Sequence, residues 1–141
     1  MNYSKITLTM VAIALAGAFV CAYAGDVVVI VNKGNDSAVD KATVVKIYSG
    51  EAKTWSNGDA VAAFDLPEDN PSRAAFAGEV MGKNLSNMKA LWAQNVFTGK
   101  AVPPKKLGTD EEVKKSVAAT KGAIGYIKAS SADDTVKVVA H

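Results

Sequence analysis

The sequence predicts an α/β domain built around one core, and three observations predict it. Short strand-like runs occur at both ends of the mature region, "VVVIVN" early and "GAIGYIKAS" and "TVKVVA" late. Between them lie segments with helical spacing that begin at Asn, Ser or Thr and stop at glycine. The segments read in the order β-α-ββ-αα-α-ββ, and strands interspersed with helices indicate α/β rather than all-α or all-β packing. No internal repeat or low-complexity segment interrupts that order.

Residues 27–32 form a β-branched run ended by glycine and asparagine, which reads as a buried strand. In "DSAVDKATVVKIYSG", Asp36, Ser37 or Asp40 is placed to cap a helix. Val44, Ile47 and Tyr48 share one face of that helix, and Gly50 suits the left-handed position past its end. Asn57-Gly58 lies between Trp55 and the strand-like "AVAAF". That dipeptide tolerates the positive φ of tight turns, so a hairpin is expected there.

"NPSRAAFAGEVMG" has Asn70 as N-cap, Pro71 at the first helical position where a missing N–H costs nothing, and Gly82 past the end. "LSNMKALWAQNVFTG" opens with Ser86, stops near Gly99, and carries Met88, Leu91, Trp92 and Val96 along one face. "KAVPPKKLG" reads as a proline-broken loop. In "TDEEVKKSVAATKG", Thr109 and Glu112 form a capping box, with lysines further along. "GAIGYIKAS" and "TVKVVA" are strands separated by the turn "SADD". The expected core contains Ile47, Trp55, Phe76, Leu91, Trp92, Val113, Ile124 and Tyr126.

The N-terminal residues indicate export. Lys5 is the only charge before the apolar run 6–20, and "CAYA" follows, with Ala22 and Ala24 supplying the small residues that signal peptidase needs. Residues 1–24 are therefore expected to be a cleaved signal peptide and 25–141 a single periplasmic domain. A transmembrane anchor competes, but the run is shorter than a typical span of ~20 residues. Lipid attachment at Cys21 is disfavoured because Phe19 and Val20 precede it. Cleavage removes Cys21, the only cysteine, so no disulfide or thiol chemistry is expected in the exported chain. A chain of this size buries enough apolar surface to fold without such staples.

Composition excludes several classes of function. The mature region has nearly balanced charge, no basic block and few aromatics, which gives nucleic-acid binding no support. His141, the only histidine, is the last residue, so neither a Ser-His-acid arrangement nor a histidine-containing metal site is expected. "PEDN" and "TDEE" stand at expected helix starts, where carboxylates are ordinary dipole partners. No glycine-rich nucleotide motif occurs. The reading is not an enzyme, with no cofactor.

Three stretches carry a family resemblance: "KIYSGEAKTW", "NPSRAAF" and "KGAIGYIKAS". In order and spacing they resemble periplasmic phosphate-binding proteins of ABC importers. An Ile-Tyr/Phe-x-Gly-x-x-x-x-Trp signature of that family is matched by Ile47, Tyr48, Gly50 and Trp55. Its later Pro-Gly-x-Ile-Gly-Tyr segment is matched by Gly122, Ile124, Gly125 and Tyr126, with Lys121 in the proline's place. The resemblance runs over about residues 27–130. It implies a single lobe, part of a type II periplasmic binding protein, with a mixed sheet flanked by helices. Such proteins clamp a ligand between two lobes, and this chain is expected to hold one.

The resemblance implies a periplasmic solute-binding-like protein, related to uptake or sensing of phosphate or another oxyanion, with a membrane transporter or sensor as partner. A homodimer is one way to rebuild the cleft. The alternative is a periplasmic protein-interaction module that has lost anion binding. The family's phosphate loop resembles Arg-x-Asp-Gly-Ser-Gly-Thr at a helix start, and laid on Ser72 it covers residues 68–74. Ser72 matches the serine; Glu68 replaces the arginine, Pro71 and Arg73 the glycines, and Ala74 the threonine. Ser72, Arg73 and Asn70 are therefore the expected anion-binding residues, with weaker help from the loop "NKGN" at 32–35. Pro71 lacks a donor and Glu68 opposes an anion, so low affinity is expected.

Overall fold

A computed structural model describes residues 27–139; the expected signal peptide lies outside the described residues. The elements are β1 (Val27–Val31), α1 (Lys41–Tyr48), β2 (Ala62–Asp65), α2 (Pro71–Glu79), α3 (Leu85–Phe97), β3 (Lys105–Lys106), α4 (Asp110–Ala119), β4 (Ala123–Lys128) and β5 (Lys137–Val139), with a short 3-10 turn at Ala129–Ser131. The strands form one mixed sheet in the order β3-β2-β4-β1-β5. β1 runs antiparallel to β4 and β5, whereas β2 runs parallel to β4 and β3.

Strand β1 is buried along its whole length, which explains why its sequence is a continuous valine and isoleucine run rather than an alternating one. Helices cover both faces of the sheet. A Cβ added at Gly125 of β4 would lie 2.5 Å from Val113 Cγ1 and 3.3 Å from Val117 Cγ2, so glycine there lets α4 approach one face closely. The next residue, Tyr126, points to the opposite face, because side chains alternate along a strand. Its ring stacks on Phe76 of α2 at 4.0 Å and meets Tyr48 of α1 edge-on at 6.0 Å. The Tyr48 hydroxyl donates to the Phe64 carbonyl at 2.7 Å, satisfying the polar end of a buried ring. Three aromatic residues from α1, α2 and β4 thus form the centre of one layer.

Most helix ends follow the expected chemistry. Asp40 is the residue that caps α1, accepting from Thr43 N–H; Asn70 caps α2 with Pro71 behind it; Thr109 caps α4. The Glu112 carboxylate turns to Gly108 N–H, one residue before the cap. Gly50 has the positive φ of a helix stop.

Four expectations change. Asn84, not Ser86, caps α3, so that helix starts earlier. The Asn57-Gly58 turn forms, but its flanks meet only at the isolated antiparallel bridge Thr54–Ala60 instead of building a hairpin. The following residues leave that turn to pair in parallel with β4, which buries more apolar surface than an isolated pair would. The loop after the prolines supplies the short β3, whose two lysines gave no strand signal. Finally, Leu91 and Trp92 are only partly buried and Val96 is 54% exposed, so the apolar stripe of α3 extends beyond the core. The remaining expected core residues, Ile47, Trp55, Phe76, Val113, Ile124 and Tyr126, are buried.

Trp92→Ala is consequently expected to cost less than the ~3–5 kcal/mol of a fully buried aromatic truncation, and nearer ~1–2 kcal/mol. Urea unfolding of the variant beside wild type measures the difference, and a loss of the full amount would mean that Trp92 packs as core.

Candidate functional site

The topology gathers one edge of the sheet into a candidate site. Strands β2, β3 and β4 are parallel, so Asp65, Lys106 and Lys128 end at the same edge. The antiparallel register of β1 sets Val27 opposite Lys128 there. The chain leaves β2 to enter α2 and leaves β3 to enter α4, which brings two helix N-termini together. Crevices outside the carboxyl ends of parallel strands are where α/β folds place ligands, and each helix start adds partial positive charge.

Asn70 and Ser72 occupy the start of α2. The Asn70 side-chain carbonyl accepts the Ser72 N–H at 2.9 Å, closing the cap. Its amide nitrogen then donates to Oδ1 of Asp110, the first residue of α4, at 2.9 Å. The Ser72 hydroxyl donates to Oδ2 of the same carboxylate at 3.0 Å, and the backbone N–H of Lys128 does so at 2.6 Å. Three donors from α2 and β4 therefore converge on one carboxylate group. A cavity of about 420 Å³ opens beside them, lined by Pro71, Ser72, Lys128 and Ser130 among others.

Arg73 lies on another side of the helix. The residue is 8% exposed, and its guanidinium donates to the Leu66 carbonyl at 3.3 Å and stands 3.9 Å from the Asp65 carboxylate. Asp65 also accepts from the Leu66 N–H and from the Tyr126 hydroxyl. Burial, together with the Asp65 charge, raises the Tyr126 hydroxyl far above the usual phenol range, so it stays a donor. Ser72 and Arg73 border different cavities, the second about 440 Å³ and bordered also by Glu68 and Lys89. Glu68 is paired with Lys89 at 2.9 Å, which holds its carboxyl below the usual range.

The loop 32–35 stands at the far end of the sheet. Val31 pairs with Ile124 at the start of β4, whereas the candidate site lies at Lys128, its end. The Asn32 amide donates to the Val117 and Ala118 carbonyls, at the C-terminal end of α4. Antiparallel β1 is the physical reason that this loop does not join Ser72. Sequence reasoning also did not connect Asp110, Lys128 or Ser130 with Ser72. Asp110 was visible only as a first-turn acid, and a contact across 38 positions carries no local signal.

A mixed sheet with helix starts collected over its parallel ends is an α/β arrangement that offers a ligand-sized crevice there. The chain belongs to the PBP superfamily domain, whose profile matches residues 18–140. Among solved structures it is similar to an ABC-type phosphate transport receptor from Vibrio cholerae, with TM-score 0.63 and 17% identity, covering 82% of this chain and 45% of that one. It is also similar to a protein from Clostridium perfringens assigned as a phosphate ABC transporter substrate-binding protein and crystallised with phosphate, with TM-score 0.64 and 21% identity over 82% and 44% of the two chains. The protein PstS from Borrelia burgdorferi matches with TM-score 0.62 and 12% identity over 82% and 47%. The chain thus spans less than half the length of these structures. No curated protein matches at a significant level. Among the described residues no helix is long and apolar enough to cross a membrane.

Proposed function

We propose that this chain is a periplasmic solute-binding-like protein related to uptake or sensing of phosphate or another oxyanion, with the α2 start as its anion position. One observation carries the reading: Asn70, Ser72 and the Lys128 N–H already bind an oxyanion group, the Asp110 carboxylate. Donors that converge on a carboxylate suit phosphate and sulfate oxygens equally. An external anion reaches them by displacing Asp110 or by lodging beside it against Lys128 and Ser130. Arg73, paired with Asp65, stays outside this anion position. Binding is weak in this reading, because Asp110 competes for the donors.

Calorimetric titration of phosphate and sulfate into the protein tests this. The expected dissociation constant is micromolar or weaker, about −8 kcal/mol at best, and Ser72→Ala weakens it further. Binding unchanged by Ser72→Ala would move the anion away from α2. The same Asp110 contact favours a second reading, a periplasmic protein-interaction module that has lost anion binding. Absence of binding at millimolar phosphate selects that reading. Both place the mature N-terminus at Gly25, and mass spectrometry of the exported form is expected to find it there; a retained leader in the membrane fraction would overturn the export assignment.

A further inference from the structure

A second concave surface lies where the C-terminal half of α3 and the loop 99–104 overhang β2. The groove measures about 820 Å³ and is lined by Phe64, Trp92, Val96, Val102, Pro103 and Pro104 on its apolar side. The cavity of about 440 Å³ that borders Arg73 adjoins it, sharing Trp92, Val96 and both prolines and adding Phe97, with Asp65 and Glu68 on its far side paired with Arg73 and Lys89. Val102 is 87% exposed and Phe97 92% exposed. Large apolar side chains gathered at one concavity, rather than scattered singly, mark a binding surface.

Two further observations specify what it takes. Lys53, Lys100 and Lys105 also line the groove, no acidic residue does, and none of the three lysines forms a salt bridge among the described residues. The groove is also held in shape. The Asn95 amide donates to the Ser49 carbonyl at 2.9 Å, tying the end of α3 to the end of α1, and the Lys100 N–H donates to the Asn95 carbonyl at 2.9 Å, fixing the start of the loop. A Cβ at Gly50 would come within 2.8 Å of the Asn95 amide and 2.9 Å of Ala101 Cβ, so glycine admits this contact. Two consecutive prolines then restrict the wall of the groove. A preformed surface loses little conformational freedom when it binds.

We propose that this groove docks a protein segment whose apolar side chains are flanked by acidic ones. The apolar side chains enter between Trp92, Val102 and the prolines, and the acidic residues meet Lys53, Lys100 and Lys105. Charge complementarity favours such a partner over a second copy of this chain, whose own groove carries the same positive rim. The proposal does not depend on anion capture at α2, and the two fail separately.

The test uses the purified protein and a fluorescein-labelled peptide alternating aspartate with leucine and phenylalanine, read by fluorescence anisotropy. A peptide with lysine in place of aspartate is the control. The acidic peptide is expected to bind and the basic one not, with affinity falling as salt rises. V102D and the combined K53E, K100E and K105E variant should each weaken binding about tenfold or more, and both alter exposed side chains, so folding is retained. Failure of the acidic peptide to bind, equal binding of both peptides, or indifference to both variants overturns the proposal. Sedimentation showing a dimer that V102D dissociates would instead assign the groove to a second copy, which also overturns it.

Discussion

Phe76→Ala is expected to remove about 3–5 kcal/mol of stability. Phe76 is buried, stacks on Tyr126 at an interplanar angle of 4° and meets Tyr48 edge-on at 4.7 Å. Truncation leaves a cavity bounded by two rings whose hydroxyls are fixed to backbone and carboxylate partners, so they are poorly placed to collapse into it. The aromatic pairs add to the burial term, at about 0.5–1.5 kcal/mol each. Domains of this size have only about 5–15 kcal/mol in total, so much of the stability is lost. Equilibrium urea unfolding at constant m-value measures it. A loss below ~1.5 kcal/mol would mean that the three-ring cluster does not join α1 and α2 to the sheet.

Asp110→Ala is expected to be the most informative change at the site. Removing the carboxylate leaves the Asn70 amide, the Ser72 hydroxyl and the Lys128 N–H without their acceptor. Unpaired buried groups cost about 1–3 kcal/mol each; Ser72 is buried, but Asn70 and Lys128 are partly or fully exposed and water takes up some of their loss, so a total of about 2–3 kcal/mol is expected. Phosphate should return part of it, because an anion bound only by the folded state stabilises by about 2.7 kcal/mol at a hundred times its dissociation constant. Thermal unfolding with and without phosphate reads both effects. A variant as stable as wild type would mean that the donors do not depend on Asp110.

Local chemistry was legible in the sequence where it acts over a few residues. Asn70-Pro71 announced α2, Thr109 announced α4, and the valine run of β1 announced a buried strand. The two glycines of "GAIGY" belong to tight packing that the residue type alone does not describe: a Cβ at Gly122 would lie 2.3 Å from the Ala60 carbonyl, and Gly125 admits α4. Strand order was not legible. The Asn57-Gly58 turn suggested a local hairpin, but β2 gains more by joining β4, whose sequence lies about sixty positions away. For the same reason the sequence placed Ser72 and Arg73 at one helix start without indicating that Asp110 faces the first and Asp65 the second. The exposed part of the α3 stripe was equally hidden, since helical periodicity records which residues share a face and not whether that face is covered.

In the proposed function, Asp110 occupies the position that an external oxyanion would take. The most direct measurement is calorimetric titration of phosphate into wild type and Asp110→Ala at the same salt concentration. The account predicts micromolar or weaker binding by wild type and binding at least about tenfold tighter by the variant, as three donors and two helix starts become available without a competing negative charge. Nanomolar binding by wild type, or a variant that binds no more tightly than wild type, would contradict it.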